Sequence, residues 1–176
     1  MKAARRRLVP MLLLCGLALA SGCGDRTLTA PQPAPPSADL IGSLLRATGL
    51  LQCSNLPYAS TTQTVGIAGG ILSAGPHKLV IPPGALSRPT TITMILPTGL
   101  GVNAVKFQPE GLRFQVPAVL SMSYANCSLL GKLLPKRIAY TTDQLQIIRY
   151  LLSLDNLFSK YVTGKLNHFS SYVIAW

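Results

Sequence analysis

Side chains able to do chemistry are few in this chain, and their spacing limits what they can do. The five acids are Asp25, Asp39, Glu110, Asp143 and Asp155. No two of them stand at a spacing that specifies a general acid/base pair, so a surface hydrolase has no acid cluster to build on. His77 and His168 have no partner ligand nearby. Cys15, Cys23, Cys53 and Cys127 form no CxxC, and no HExxH occurs, so neither a metal site nor a cofactor is expected. The nearest approach to a catalytic grouping is His168-Phe169-Ser170, an imidazole two residues from a hydroxyl. On an extended strand those two side chains share a face about 7 Å apart, beyond hydrogen-bonding reach, so their direct contact requires a distortion at Phe169. Glu110, in Pro109-Glu110-Gly111, reads as a turn residue. Tyr140, Tyr150, Tyr161 and Tyr172 read either as a binding surface or as half-buried strand residues.

The cysteines are better explained by export. A basic start (Lys2, Arg5, Arg6, Arg7), an apolar run from Leu8 to Ala20 and small residues before Cys23 give residues 1–22 the layout of a secretory signal peptide. The apolar run is well short of the roughly 20 residues a membrane span needs. Leu19-Ala20-Ser21-Gly22-Cys23 resembles a bacterial lipobox, in which the cysteine is diacylated and becomes the first residue of the mature chain; ordinary cleavage without lipid is the alternative. With Cys23 on a lipid and Cys15 removed, Cys53 and Cys127 are left as one disulfide pair in an oxidising compartment. Two buried, reduced cysteines are the other reading. Loss of Lys2, Arg5, Arg6 and Arg7 lowers the formal charge from +11 to +7. The densest basic cluster, Lys132, Lys136 and Arg137, reads as a solvated loop, with an anionic partner such as a lipid headgroup or surface polysaccharide as the alternative. No aromatic–basic alternation of the stacking kind is present, so nucleic acid is not an expected partner.

These residues must be positioned by a single domain. Residues 23–39 hold Pro31, Pro33, Pro35 and Pro36 and read as an extended tether after the lipidated cysteine. Leu40, Ile41, Leu44, Leu45 and Leu51 approximate helical spacing behind an Asp39 cap, which predicts a short amphipathic helix in segment 40–58. From residue 59 onward, short β-prone runs punctuated by glycine and proline predict an all-β sandwich. Strands are expected at Thr64–Ala68, Ile71–Ser73, His77–Ile81, Thr90–Leu96, Val105–Gln108, Ala118–Tyr124, Arg137–Thr141, Gln146–Leu151, Lys160–Leu166 and Phe169–Ala175. Ala118, Leu120, Met122 and Tyr124 should face inward with Ser121 and Ser123 outward, and Ile92, Met94 and Leu96 should share one face. With no glycine or proline near Phe169, residues 165–176 read as an unkinked final stretch of strand.

The run GGILSAGPHKLVIPPGAL (Gly69 to Leu86), followed by PTTITMIL, VKFQPEGLRFQVPAVLSMSY and the closing HFSSYVIAW, resembles the ZU-five domain of zonula occludens scaffolds, uncoordinated-five netrin receptors and ankyrins. The resemblance covers most of Thr64 to Trp176. It implies a ZU-five-like β-sandwich that binds or scaffolds partners, here as a lipid-anchored module outside the cytoplasm facing a protein or another cell-envelope component. It also implies an alternative activity. Some such domains cleave themselves between Phe and Ser of an HFS motif, which maps onto His168, Phe169 and Ser170. The serine hydroxyl attacks the preceding carbonyl, and water opens the resulting ester. That step needs a strained peptide, a base and an oxyanion site. The simpler expectation is that Phe169 packs the core and the chain stays intact.

Overall fold

A computed structural model describes residues 48–129 and 134–176. The expected signal peptide, Cys23, the tether, Lys132 and residues 40–47 of the expected helical segment lie outside the described residues.

Eleven strands are described: β1 (Ala59–Val65), β2 (Gly70–Ala74), β3 (His77–Ile81), β4 (Thr90–Leu96), β5 (Ala104–Gln108), β6 (Arg113–Ser123), β7 (Arg137–Thr141), β8 (Ile147–Tyr150), β9 (Ser153–Asn156), β10 (Tyr161–His168) and β11 (Ser171–Ala175). They form two antiparallel sheets, ordered β1-β4-β5-β11-β7-β8 and β2-β3-β6-β10-β9. The sheets face each other as a β-sandwich.

Alternation in the sequence decides which face is buried. Ile92, Met94 and Leu96 of β4 and Ala118, Leu120 and Met122 of β6 point into one shared core. Each Ile, Leu or Met among them contributes about 1.5–3 kcal/mol when fully buried. Thr62 and Thr64 of β1 meet Thr93 and Thr91 of β4 on the opposite, wetter face, with hydroxyl separations of 2.9 and 3.0 Å. Ser121 hydrogen-bonds Thr163 on the outer face as expected, but Ser123 is buried, its amide donating to His77 Nδ1 at 3.1 Å. β6 runs through Pro117, which lacks a ladder donor. The strand tolerates it because the β10 register shifts there, between Leu166 paired with Ala118 and His168 paired with Arg113.

Glycine makes one of the crossings between sheets. Between β1 and β2, Gly69 has φ +77°, and a Cβ there would lie 2.2 Å from the Ile81 carbonyl oxygen, so no other residue fits without moving backbone.

The residues leading into the sandwich depart from expectation. Residues 48–58 carry no helix. They run beside β11, Leu51 N–H donating to Ile174 O at 3.1 Å and Trp176 N–H to Gly49 O at 3.1 Å. Cys53 N–H donates to Gly101 O at 2.9 Å. Partners in and after β11 and in the loop before β5 thus satisfy these backbone groups, and Gly49 at φ +78° suits a turn rather than a helix. Leu50 covers a second small cluster with Val102, Ala104, Ala139, Val173 and Ala175. β11 is consequently buried on both faces.

Candidate functional site

The His168-Phe169-Ser170 sequence occupies a corner between sheets. β10 belongs to the five-stranded sheet and β11 to the six-stranded one, so Phe169 and Ser170 carry the chain across the sandwich. The expectation of unkinked strand over residues 165–176 is therefore wrong at this point. The anchor is the Phe169 ring, fully buried, stacked on Phe107 at 4.7 Å and edge-on to Phe114 at 5.0 Å. An aromatic pulled into the core between two sheets turns the backbone without glycine or proline.

That corner holds the Phe169–Ser170 peptide closely. Phe169 N–H donates to Leu112 O at 2.8 Å, and the Phe169 carbonyl accepts from Gly111 N–H at 3.0 Å. His168 Nδ1 lies 3.3 Å from the same carbonyl oxygen. The imidazole packs edge-on against Tyr140, and Tyr172 donates its hydroxyl to His168 O at 2.6 Å. Burial and the neighbouring Tyr140 push the Tyr172 hydroxyl well above the usual tyrosine range, so it stays a donor. The arrangement offers two groups to an oxygen that would become an oxyanion. His168 faces the carbonyl, and among the described residues no hydrogen bond joins it to the Ser170 hydroxyl. A base for the nucleophile is missing from the motif.

Ser170 and Ser171 also border an open depression of about 610 Å³ on the outer face of the six-stranded sheet. Its floor and rim include Thr91, Thr93, Lys106, Gln108 and Asp143. Lys106 Nζ and Asp143 Oδ1 pair at 2.7 Å, which holds the Asp143 carboxyl below its ordinary range. Glu110 rims this depression and a smaller one of about 260 Å³ beside Arg113, Tyr140 and His168. The surface is mixed, with Ile95, Phe107 and Pro109 among the polar groups, and strand alternation places most of it: Thr91, Thr93 and Ile95 alternate with the core residues Ile92, Met94 and Leu96.

The remaining candidates are spread out. Cys53 and Cys127 form a disulfide that links the entry segment to the loop after β6. Beside it, Asn103 donates to Ser123 O at 2.8 Å and to Asn126 Oδ1 at 2.7 Å. Asp155 turns inward, accepting from Tyr124 OH at 2.6 Å and from Lys136 N–H at 2.7 Å. Lys136, expected in a solvated loop, is fully buried, with Nζ donating to Leu134 O at 2.6 Å. That bond offsets part of the cost of burying the ammonium group. Arg137 is exposed and stacks over Tyr150, 4.4 Å from the ring centre. Of the four tyrosines, Tyr172 is core, Tyr140 is half-buried, and Tyr150 and Tyr161 are exposed. Among the described residues no group of three or more His, Cys, Asp or Glu is placed to hold a metal ion.

No protein-family model matches this chain, and no curated protein matches it in sequence.

Proposed function

We propose that this chain is a lipid-anchored, extracytoplasmic binding module with a ZU-five-like sandwich, presenting the outer face of its six-stranded sheet to a polar partner in the cell envelope. The observation that carries this reading is the depression of about 610 Å³, lined mainly by hydrogen-bonding side chains and one exposed ion pair, with Ile95, Phe107 and Pro109 between them, rather than by a catalytic grouping. The Cys53–Cys127 pairing supports the anchoring half, since with Cys15 removed in the signal peptide Cys23 is the one cysteine outside that pair, and Ser21-Gly22-Cys23 fits a lipobox. Two acyl chains give stable attachment where one gives only marginal binding.

Two experiments test it. A photo-reactive residue at Thr93 or Gln108 should capture a discrete partner in intact cells, and one at Val116, exposed on the other sheet, should not. Equal capture from both faces refutes the assignment. Cys23→Ala should change the mature mass and move the protein out of the detergent phase; unchanged partitioning and mass refute the anchor.

Self-cleavage at Phe169–Ser170 is a second reading, favoured by the Gly111 N–H and His168 Nδ1 around the Phe169 carbonyl. Without a base at Ser170 the binding reading prevails, and mass spectrometry under denaturing conditions should find the mature chain intact. A species ending at Phe169 in the parent but absent from Ser170→Ala would reverse that choice.

A further inference from the structure

β8 and β9 are the outermost strands of the two sheets on one side of the sandwich, and the chain passes directly from one to the other. This side has an unusual surface. Leu152 is 91% exposed, Leu154 78%, and Phe158, in the turn between β9 and β10, is fully exposed beside the half-exposed Leu157. Apolar side chains this large rarely stand together in water without a function. The cations Arg149 and Lys160 flank them, and among the described residues no carboxylate pairs with either. The nearby acid, Asp155, is turned inward onto Tyr124 and the Lys136 amide.

We propose that this edge is a membrane-docking surface, in which Phe158, Leu157, Leu154 and Leu152 enter the headgroup region of an anionic bilayer while Arg149 and Lys160 meet its lipid phosphates. The shape and the charge both select that occupant. Phe158 and Leu157 sit on a protruding turn, with Lys160 at φ +56° closing it, which suits insertion into a soft medium better than packing on a rigid protein. A second copy of the chain docked through the same edge would add its own Arg149 and Lys160 to this surface and, among the described residues of the edge, no free carboxylate to offset them. An anionic lipid surface supplies the missing charge, and each cation near such a surface adds attraction that salt screens. The docking needs no acyl chain, so it stands apart from the Cys23 anchor: it would fix which face of a tethered domain points at the membrane.

The test uses the mature chain from residue 23 onward carrying Cys23→Ser, which lacks both the lipid and the basic, apolar residues 1–22, co-sedimented with vesicles of phosphatidylcholine alone or of phosphatidylcholine and phosphatidylglycerol in equal parts. The chain should bind the anionic vesicles in preference and lose binding as salt rises. Leu157→Ser/Phe158→Ser should weaken that binding by about tenfold or more, and Arg149→Gln/Lys160→Gln should abolish the preference for anionic lipid. Ile71→Ser, on the opposite edge strand, should leave binding unchanged. Retained binding in Leu157→Ser/Phe158→Ser overturns the proposal. So does absence of vesicle binding, or self-association in sedimentation that the same double substitution removes, which would assign the edge to a second copy. Because no arm depends on acylation, failure here leaves the Cys23 reading standing, and failure of that reading leaves this one intact.

Discussion

Acidification should destabilise this domain through His77, a residue of β3 with no exposed surface. Its Nδ1 accepts the Ser123 amide hydrogen, so the neutral ring carries its proton on Nε2, where no acceptor is present among the described residues. Protonating Nδ1 would break the Ser123 bond and place a charge in the core, and burial accordingly lowers the His77 pKa from 6.5 to about 4. The folded value lies below the unfolded one, so the unfolded chain takes up the proton first. The stability is therefore fully present above pH 6.5 and is lost as pH falls toward 4. That gap corresponds to about 3 kcal/mol in total, of which about 2 kcal/mol is gone by pH 5. Read by urea unfolding with intrinsic fluorescence, the midpoint should fall by about 1 M between pH 7.5 and pH 5. His77→Asn keeps an acceptor for Ser123 N–H but does not titrate; it should be less stable at pH 7.5 and nearly flat across this range. A flat parental profile, or an equally steep one in His77→Asn, refutes the argument.

Other perturbations test the core and its cross-link. Replacing Cys53 and Cys127 together by alanine opens a loop of sequence separation 74, and the chain-entropy model puts the loss near 4.5 kcal/mol, to be measured by equilibrium unfolding of parent and variant. Phe169→Ala removes a fully buried ring stacked on Phe107 and should cost about 3–5 kcal/mol, with thermal unfolding as the check. Tyr124→Phe leaves Asp155 Oδ1 without its buried donor and should cost about 1–3 kcal/mol, read the same way.

Strands with clean alternation were legible from sequence, and those whose boundaries depend on the other sheet were not. His77–Ile81, Thr90–Leu96 and Arg137–Thr141 have the same limits in sequence and structure. β1 was expected at Thr64–Ala68 but spans Ala59–Val65, because an edge strand of mostly exposed Ser, Thr and Gln has no apolar period to reveal it. β9 was missed altogether. Its four residues, Ser153 to Asn156, include an Asp whose pairing with Tyr124 is invisible without the fold. Serine and lysine suggested water, yet Ser123 and Lys136 are buried, and Asp155 turns inward onto the Tyr124 hydroxyl, a donor distant in sequence. The HFS motif was visible as residues, but its bend was not: what makes the corner is the pull of Phe107 and Phe114 on Phe169.

The position of β11 bears on when the domain can fold. It is last in chain order yet lies in the middle of its sheet, between β5 and β7. Until residues 171–175 emerge, β5 and β7 have no common neighbour, and the core side of the six-stranded sheet lacks Tyr172 and Ile174. Pairings this far apart in sequence also form slowly, because the intervening chain must be closed before contacts compensate for its lost freedom. Pairing of this one strand therefore gates the whole six-stranded sheet, and the halves built on β5 and β7 stay unjoined until β11 enters between them.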